Sequence, residues 1–227
     1  MIPIIAQNRD FIVVNKPAGL NFHSEESAGL VVLVQQQLGC EQLYPVHRLD
    51  KMTSGLVIFA LNKATAQRFQ LLFEARRVEK FYLAISDQKP KKKQGWIKGD
   101  MVSARRGSWM LTKTQINPAV TQFISVLIRP NERLYLLKPI TGKTHQLRVA
   151  MKSLSAPICG DARYADSERA KQEDRGYLHA YALRFELAGK PFGFVCLPDS
   201  GRRYLEAECT CLLTEWSAPW NCFKSAV

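Results

Sequence analysis

The stretch His47-Arg48-Leu49-Asp50-Lys51-Met52-Thr53-Ser54-Gly55 runs directly into a compact apolar segment, residues 55–61. The length of that segment and its valine, isoleucine and phenylalanine content read as a buried strand. A strand buried on both faces requires a sheet around it and further layers over it. The residues before it include Asp, Thr, Ser and Gly, all turn formers. Asp50 is therefore expected in a loop anchored by a rigid strand, where scaffolds commonly place chemistry. A plain turn is the alternative reading of the same residues.

The rest of the chain supplies the layers. Residues 11–15 read as a short strand, stopped by Lys16-Pro17-Ala18-Gly19. Residues 29–38 read as a helix, with Gly39 as its C-terminal stop. Residues 63–76 read as an amphipathic helix, with Ala66, Phe69, Leu72 and Phe73 at helical spacing. Residues 80–86 read as a strand, with Phe81, Leu83 and Ile85 on one face and Tyr82 and Ala84 on the other. Residues 89–107, punctuated by Pro90, Gly95, Gly99 and Gly107, read as an irregular excursion from the sheet. Residues 119–128 and 133–138 flank Pro130-Asn131-Glu132 and predict a hairpin. Residues 143–154 read as a helix, with Leu147, Ala150, Met151 and Leu154 on one stripe and Arg148 on its polar side. Late strands are expected over 178–187, 193–197 and 203–208. Hairpins mixed with helices predict an α+β fold with a mixed, mostly antiparallel sheet flanked by helices. With 227 residues, a single domain over 1–227 can build its core without disulfides.

Charge points to a partner. The formal net charge is +12, which predicts a polyanion, most simply nucleic acid. An anionic membrane surface competes, but no long amphipathic helix with a basic face is visible. Residues 75–115 carry eleven basic side chains against Glu79, Asp87 and Asp100. Mixed signs would serve solubility equally well, so a basic excursion at 87–115 is expected to contact phosphates through Lys91, Lys92, Lys93, Arg105 and Arg106. Trp96 and Trp109 offer stacking surfaces there, or anchors to the core.

The six cysteines form no CxxC pair. Cys209 and Cys211 alternate within the expected last strand, a weak metal hint, since a structural zinc site needs four ligands. Buried reduced thiols and no metal are the expectation. The N-terminus lacks the pattern of a signal peptide, and no apolar run approaches membrane-spanning length. A cytoplasmic protein, monomeric and without a membrane partner, follows.

Pro139-Ile140-Thr141-Gly142-Lys143-Thr144-His145-Gln146-Leu147-Arg148-Val149 is the second distinctive segment. Gly-Lys-Thr invites a phosphate-loop reading, but that motif needs a glycine where Leu137 stands. Together with Asn15-Lys16-Pro17-Ala18-Gly19-Leu20, His47 to Gly55, Glu79-Lys80-Phe81-Tyr82-Leu83, Pro157-Ile158-Cys159-Gly160-Asp161 and Leu178-His179-Ala180, it resembles the RluA family of pseudouridine synthases. The blocks stand in family order over most of the chain. The resemblance implies a pseudouridine synthase catalytic fold, its sheet in two halves, without a preceding S4-like module. It also implies an isomerase that converts uridine to pseudouridine in ribosomal or transfer RNA without a cofactor.

The same resemblance puts the catalytic aspartate on Asp50, the active-site tyrosine on Tyr82, the basic partner of the aspartate on Arg148 and the apolar residue beside the base on Leu147. Arg48 matches the arginine that helps open the RNA. His47, Lys143 and Thr144 flank matched residues and join the expected RNA contacts. Ala150 and Tyr164-Ala165 depart from the family pattern away from the matched catalytic positions. The chemistry suits these residue types. The uracil N1–C1′ bond breaks, the base turns, C5 joins C1′ and the C5 proton leaves. An ionised carboxylate is needed at the sugar, to attack C1′ or to take a sugar proton. A nearby guanidinium, always charged and able to bind through two N–H groups, keeps it ionised. A nucleosidase passing the sugar to water and a non-catalytic RNA-binding protein are the rival readings.

Overall fold

In the computed structural model, which describes residues 1–223, the chain in order forms β1 (Ile4–Gln7), β2 (Phe11–Lys16), α1 (Leu30–Leu38), β3 (Tyr44–Pro45), β4 (Ser54–Ala60), α2 (Lys63–Glu74), β5 (Glu79–Ser86), β6 (Gln94–Gly99), β7 (Met101–Ser103), β8 (Trp109–Leu111), β9 (Ala119–Arg129), β10 (Glu132–Pro139), α3 (Gln146–Ser153), α4 (Ser167–Lys171), β11 (Leu178–Leu187), β12 (Lys190–Val195), α5 (Arg202–Leu205) and α6 (Ala207–Glu215). The fold is α+β with mostly antiparallel strand pairing. Its elements fall into two units: Met1–Glu79 with His179–Leu197, and Lys80–Leu178 with the segment from Pro198 onward. Among the described residues no helix is long and apolar enough to cross a membrane.

The first unit is built on β4, every residue of which is buried. It pairs antiparallel with β2 and in parallel with the start of β11, through Ser54 opposite His179 and Gly55 opposite Ala180. Gly55 has φ +105, and a Cβ there would meet the Ala180 carbonyl oxygen at 2.3 Å. Only glycine lets the two backbones approach so closely. β1 extends the sheet beyond β2, and β12 pairs back on β11. Ala188 and Gly189 both have positive φ, the two-residue hairpin turn that matches strand twist. This turn starts β12 at Lys190, ahead of the strand expected from residue 193. On one face Phe11 meets Phe69, Phe185 and Phe192 edge to face, with centroids 5.8, 5.7 and 5.1 Å away. α2 is fixed over this cluster, its first turn capped by Asn62, whose side chain accepts the Thr65 N–H at 2.9 Å.

In the second unit β5, β10, β9 and β6 follow one another, each pair antiparallel. Asn131, at φ 63, makes the expected turn between β9 and β10. Two segments differ from their sequence reading. Residues 89–107 are mostly regular, for β6 is the edge strand on β9, and β7 and β8 form a separate hairpin around a 3₁₀ turn at Arg105–Gly107. Ile97 provides the buried contact of β6, and Gly99 lets the chain pass so near Thr112 that a Cβ would lie 2.1 Å from its carbonyl oxygen. Residues 203–208, expected as a strand, fall in α5, the extended Glu206 and the start of α6. Cys209 and Leu213, four apart, are the buried positions of α6, so burial follows a helical period. Cys209 is buried and Cys211 exposed, so they do not share one side; all six cysteines are free thiols. Tyr204 drives its hydroxyl to the Leu83 carbonyl, 3.1 Å away, and so fastens the helical segment to β5.

Candidate active site

The loop that carries Asp50 is held largely through its own main-chain carbonyls. The Asp50 carbonyl accepts the Thr53 N–H at 3.0 Å, and the Lys51 carbonyl accepts the Gly19 N–H at 2.8 Å. Gly19, at φ +82, supplies the turn that brings its amide there. Lys16 is wholly buried and donates from Nζ to the Lys51 and Pro17 carbonyls at 3.1 and 2.9 Å. A buried ammonium needs such oxygen partners. Where the loop becomes β4, the Ser54 hydroxyl and His179 Nδ1 lie 2.7 Å apart, and His179 Nε2 faces the Cys196 carbonyl at 2.8 Å. That carbonyl has no proton to give, so Nε2 carries the hydrogen, and in the neutral ring Nδ1 accepts from Ser54. His47 likewise uses its Nε2 to accept the Ile58 N–H at 3.0 Å. Arg48 is exposed and Asp50 half-buried.

In the second unit Tyr82 is buried, on the same face of β5 as Lys80 and Ala84. Burial pushes the Lys80 ammonium below its ordinary range. The turn between β10 and α3 is organised by Gln146, which is buried and fully engaged. Its Oε1 accepts from the Thr141 hydroxyl at 2.7 Å and the Lys143 N–H at 3.0 Å, while its Nε2 donates to Val120 O and Thr121 Oγ1, each at 3.0 Å. The Lys143 ammonium donates to the Asn117 carbonyl. His145 adopts φ 57, so α3 begins at Gln146, later than the expected residue 143.

Arg148 is not on a polar face. All of residues 146–151 are buried, Leu147 among them. The guanidinium is taken from one edge by Asp161, Nε to Oδ2 and Nη2 to Oδ1, both at 2.8 Å. Asp161 is fully buried, and its Oδ1 also accepts the Arg163 N–H at 3.0 Å. A buried arginine is tolerated because the carboxylate is bidentate and otherwise satisfied. The ring of Tyr164 lies 5.0 Å from the Arg148 guanidinium carbon. The sequence did not single out Asp161 and Tyr164 as supports of Arg148, or Gln146 as the organiser of its turn. Asp161 stands within a family-like block, but nothing in a thirteen-residue separation announces a pair.

The basic side chains cluster on the segment that includes β6 to β8. Lys91, Lys92, Lys93, Arg105, Arg106 and Thr144 are exposed. Trp96 and Trp109 are half-buried. The Lys98 ammonium lies 5.0 Å from the Trp96 ring centroid, and the Lys92 ammonium donates to the Trp96 carbonyl. Asp87, Cys159 and Glu173 bring possible ligand atoms within 4.8 Å of one another. Their cation is already present, because Arg203 pairs with Glu173, with Glu132 at 2.6 Å and with Asp87 at 3.8 Å. Burial pushes the Cys159 thiol up to about 12, so it stays protonated and is a poor ligand.

Comparison with known proteins identifies the family. Residues 10–153 match the family described as RNA pseudouridylate synthase. The chain is 50% identical over 206 residues to an uncharacterized RNA pseudouridine synthase of Haemophilus influenzae, covering 90% of this chain and 91% of that one. It is 33% identical over 190 residues to the dual-specificity RNA pseudouridine synthase RluA of Salmonella typhi, covering 79% and 84%. The solved structure of human RNA Pseudouridylate Synthase Domain Containing 1 superposes with a TM-score of 0.78 at 27% identity, over 96% of this chain and 95% of that one.

Proposed function

Because the chain belongs to the RluA family of RNA pseudouridine synthases, we propose that it isomerises specific uridines of structured RNA, ribosomal or transfer, using Asp50 at the ribose of a flipped-out nucleotide. No cofactor enters this reading. The observation that carries it is the family match over residues 10–153, a span that includes Asp50, Tyr82 and Arg148. Relatives named as a ribosomal large subunit pseudouridine synthase and as a tRNA pseudouridine synthase support leaving both kinds of RNA open. The six free thiols and the bacterial relatives favour a cytoplasmic setting.

Each residue has a part. Flipping the target costs a few kcal/mol, least where the base is already unpaired. Arg48, exposed beside the Asp50 loop, assists that opening. Tyr82 and Leu147 hold the base. Asp50 acts at the sugar, by attack on C1′ or by taking a sugar proton, as the N1–C1′ bond breaks. Arg148 keeps the carboxylate ionised. The base turns, C5 bonds to C1′, the C5 proton departs and N1 gains one. The exposed lysines and arginines of the 87–115 segment bind phosphates.

The test is tritium release from RNA labelled at uridine C5. Asp50→Asn is expected to abolish release while RNA binding persists. Undiminished release removes the mechanism, and free uracil among the wild-type products replaces it with base hydrolysis.

A further inference from the structure

The turn from Asp161 to Tyr164 touches two parts of the second unit at once. At one end Asp161 grips Arg148. At the other, the Tyr164 hydroxyl lies 3.0 Å from the Trp109 amide, which donates to it, and 2.9 Å from His145 Nδ1. Burial raises the pKa of Tyr164 above its usual value, so the phenol keeps its proton and can hydrogen-bond to His145 while accepting from Trp109. Between the two ends Arg163 donates from Nη1 to the Arg106 carbonyl at 2.7 Å. Trp109 opens β8, and Arg106 sits at φ 57 in the turn of the same hairpin. His145 is the residue just ahead of α3, three positions before Arg148. One buried tyrosine therefore bonds the hairpin, bonds the start of the helix and lays its ring against the guanidinium.

We propose that Tyr164 is a positioning residue that ties the β7–β8 hairpin to Arg148, so that RNA held on the hairpin and the orientation of the guanidinium are set by one side chain. The inference rests on the reading of this hairpin as an RNA contact and of Arg148 as the partner of the catalytic carboxylate. It separates two functions within Tyr164. The hydroxyl governs the hairpin, and the ring governs Arg148. A tyrosine that merely filled the core would show no such division.

Tyr164→Phe and Tyr164→Leu test it. The substrate is total RNA, labelled at uridine C5, from cells lacking this gene. Tyr164→Phe removes the hydroxyl and keeps the ring. It is expected to raise the half-saturating RNA concentration about fivefold, the size of one hydrogen bond removed, with kcat retained. Tyr164→Leu removes both and is expected to lower kcat as well, by roughly tenfold or more. An activity-independent readout accompanies these: trypsin cleavage after the exposed Arg105 and Arg106, identified by mass, accelerates in Tyr164→Phe. Unchanged constants together with unchanged cleavage in Tyr164→Phe overturn the proposal. So does an equal fall of kcat in both variants. If the wild type releases no tritium, the synthase reading is what fails. The hairpin tie is then judged on cleavage alone, where an unaltered rate refutes it.

Discussion

The two units hold their functional side chains by different means. In the first, the ties to the Asp50 loop end on its own main-chain carbonyls, those of Asp50 and Lys51, taken by the Thr53 and Gly19 amides and the Lys16 ammonium, and the loop leads into a strand buried along its whole length. In the second, Arg148 is fixed through side chains, the Asp161 carboxylate and the Tyr164 ring, beside a turn organised by the Gln146 amide. Charge divides the same way. The first unit has 10 basic against 8 acidic residues, +2, and the second 22 against 12, +10. A loop tied by its backbone tolerates side-chain replacement, so its chemistry can be altered without removing those ties. A site tied by side chains cannot be altered without loosening its own scaffold. The difference separates a nearly neutral unit that presents the proposed catalytic carboxylate from a basic unit suited to hold a polyanion.

The largest effect is expected where the side-chain scaffold is broken. Asp161→Asn takes the negative charge away from a buried arginine and is expected to cost about 3–5 kcal/mol of unfolding free energy, the range for unpairing a buried ion pair. Lys51→Ala is the contrasting variant. Its side chain is exposed and its carbonyl, which does the anchoring, remains. A change within about 0.5 kcal/mol is expected there. Urea denaturation of the two variants beside the wild type measures both. Similar losses for the two would dissolve the contrast between main-chain and side-chain anchoring.

A middle-sized effect concerns charge. Replacing Lys91, Lys92 and Lys93 together by alanine is expected to flatten the dependence of log binding constant on log salt by roughly 2, at about 0.7–0.9 for each phosphate no longer neutralised. Replacing Arg9, Lys63 and Lys190, three exposed bases of the first unit, is expected to leave the slope nearly unchanged. Filter binding of bulk RNA across a salt series reads both. Equal flattening would mean that the polyanion does not discriminate between the units.

What the sequence disclosed follows the same divide. The continuous apolar run of β4, the helical spacing of Ala66, Phe69, Leu72 and Phe73, and the Pro130-Asn131-Glu132 turn are local signals, and each lay where local chemistry put it. Asp50, Tyr82 and Arg148 were singled out by motif resemblance; the loop of Asp50 and the strand of Tyr82 were readable, whereas Arg148, expected on a polar helix face, is buried. Their supports were not readable. Arg148 finds Asp161 and Tyr164 through tertiary folding, and no spacing along the chain encodes such a meeting. The helical segment after Gly201 was misread because Tyr204 and Leu205 fit a short strand as well as a helix. The four-residue interval between buried Cys209 and Leu213 shows only once burial is known. β6 was hidden by its glycines, which usually punctuate loops but here permit an edge strand to run close to Thr112.

The smallest effect is a pH dependence that only the second unit should show. The root of the hairpin is tied by Asp100, whose carboxylate accepts the Ile116 and Asn117 N–H groups at 3.0 and 2.8 Å. The Ile116 amide leads the causes that hold this carboxyl below its usual range. A group whose folded pKa is depressed contributes its stabilisation above the ordinary carboxylate pKa and loses it as pH falls through the folded value. The tie is therefore complete from neutrality down to roughly pH 4 and weakens only below that. Amide exchange at Ile116 and Asn117, corrected for intrinsic rates, is expected to accelerate below about pH 4. In Asp100→Asn it should be faster throughout and flat across the same window. The amides of Gly19 and Thr53 donate to main-chain carbonyls, which do not titrate, so their protection should not change there. A matching acid transition at Gly19 and Thr53 would show that the Asp50 loop also leans on an ionised side chain, and the distinction between the two anchoring modes would narrow to one of degree.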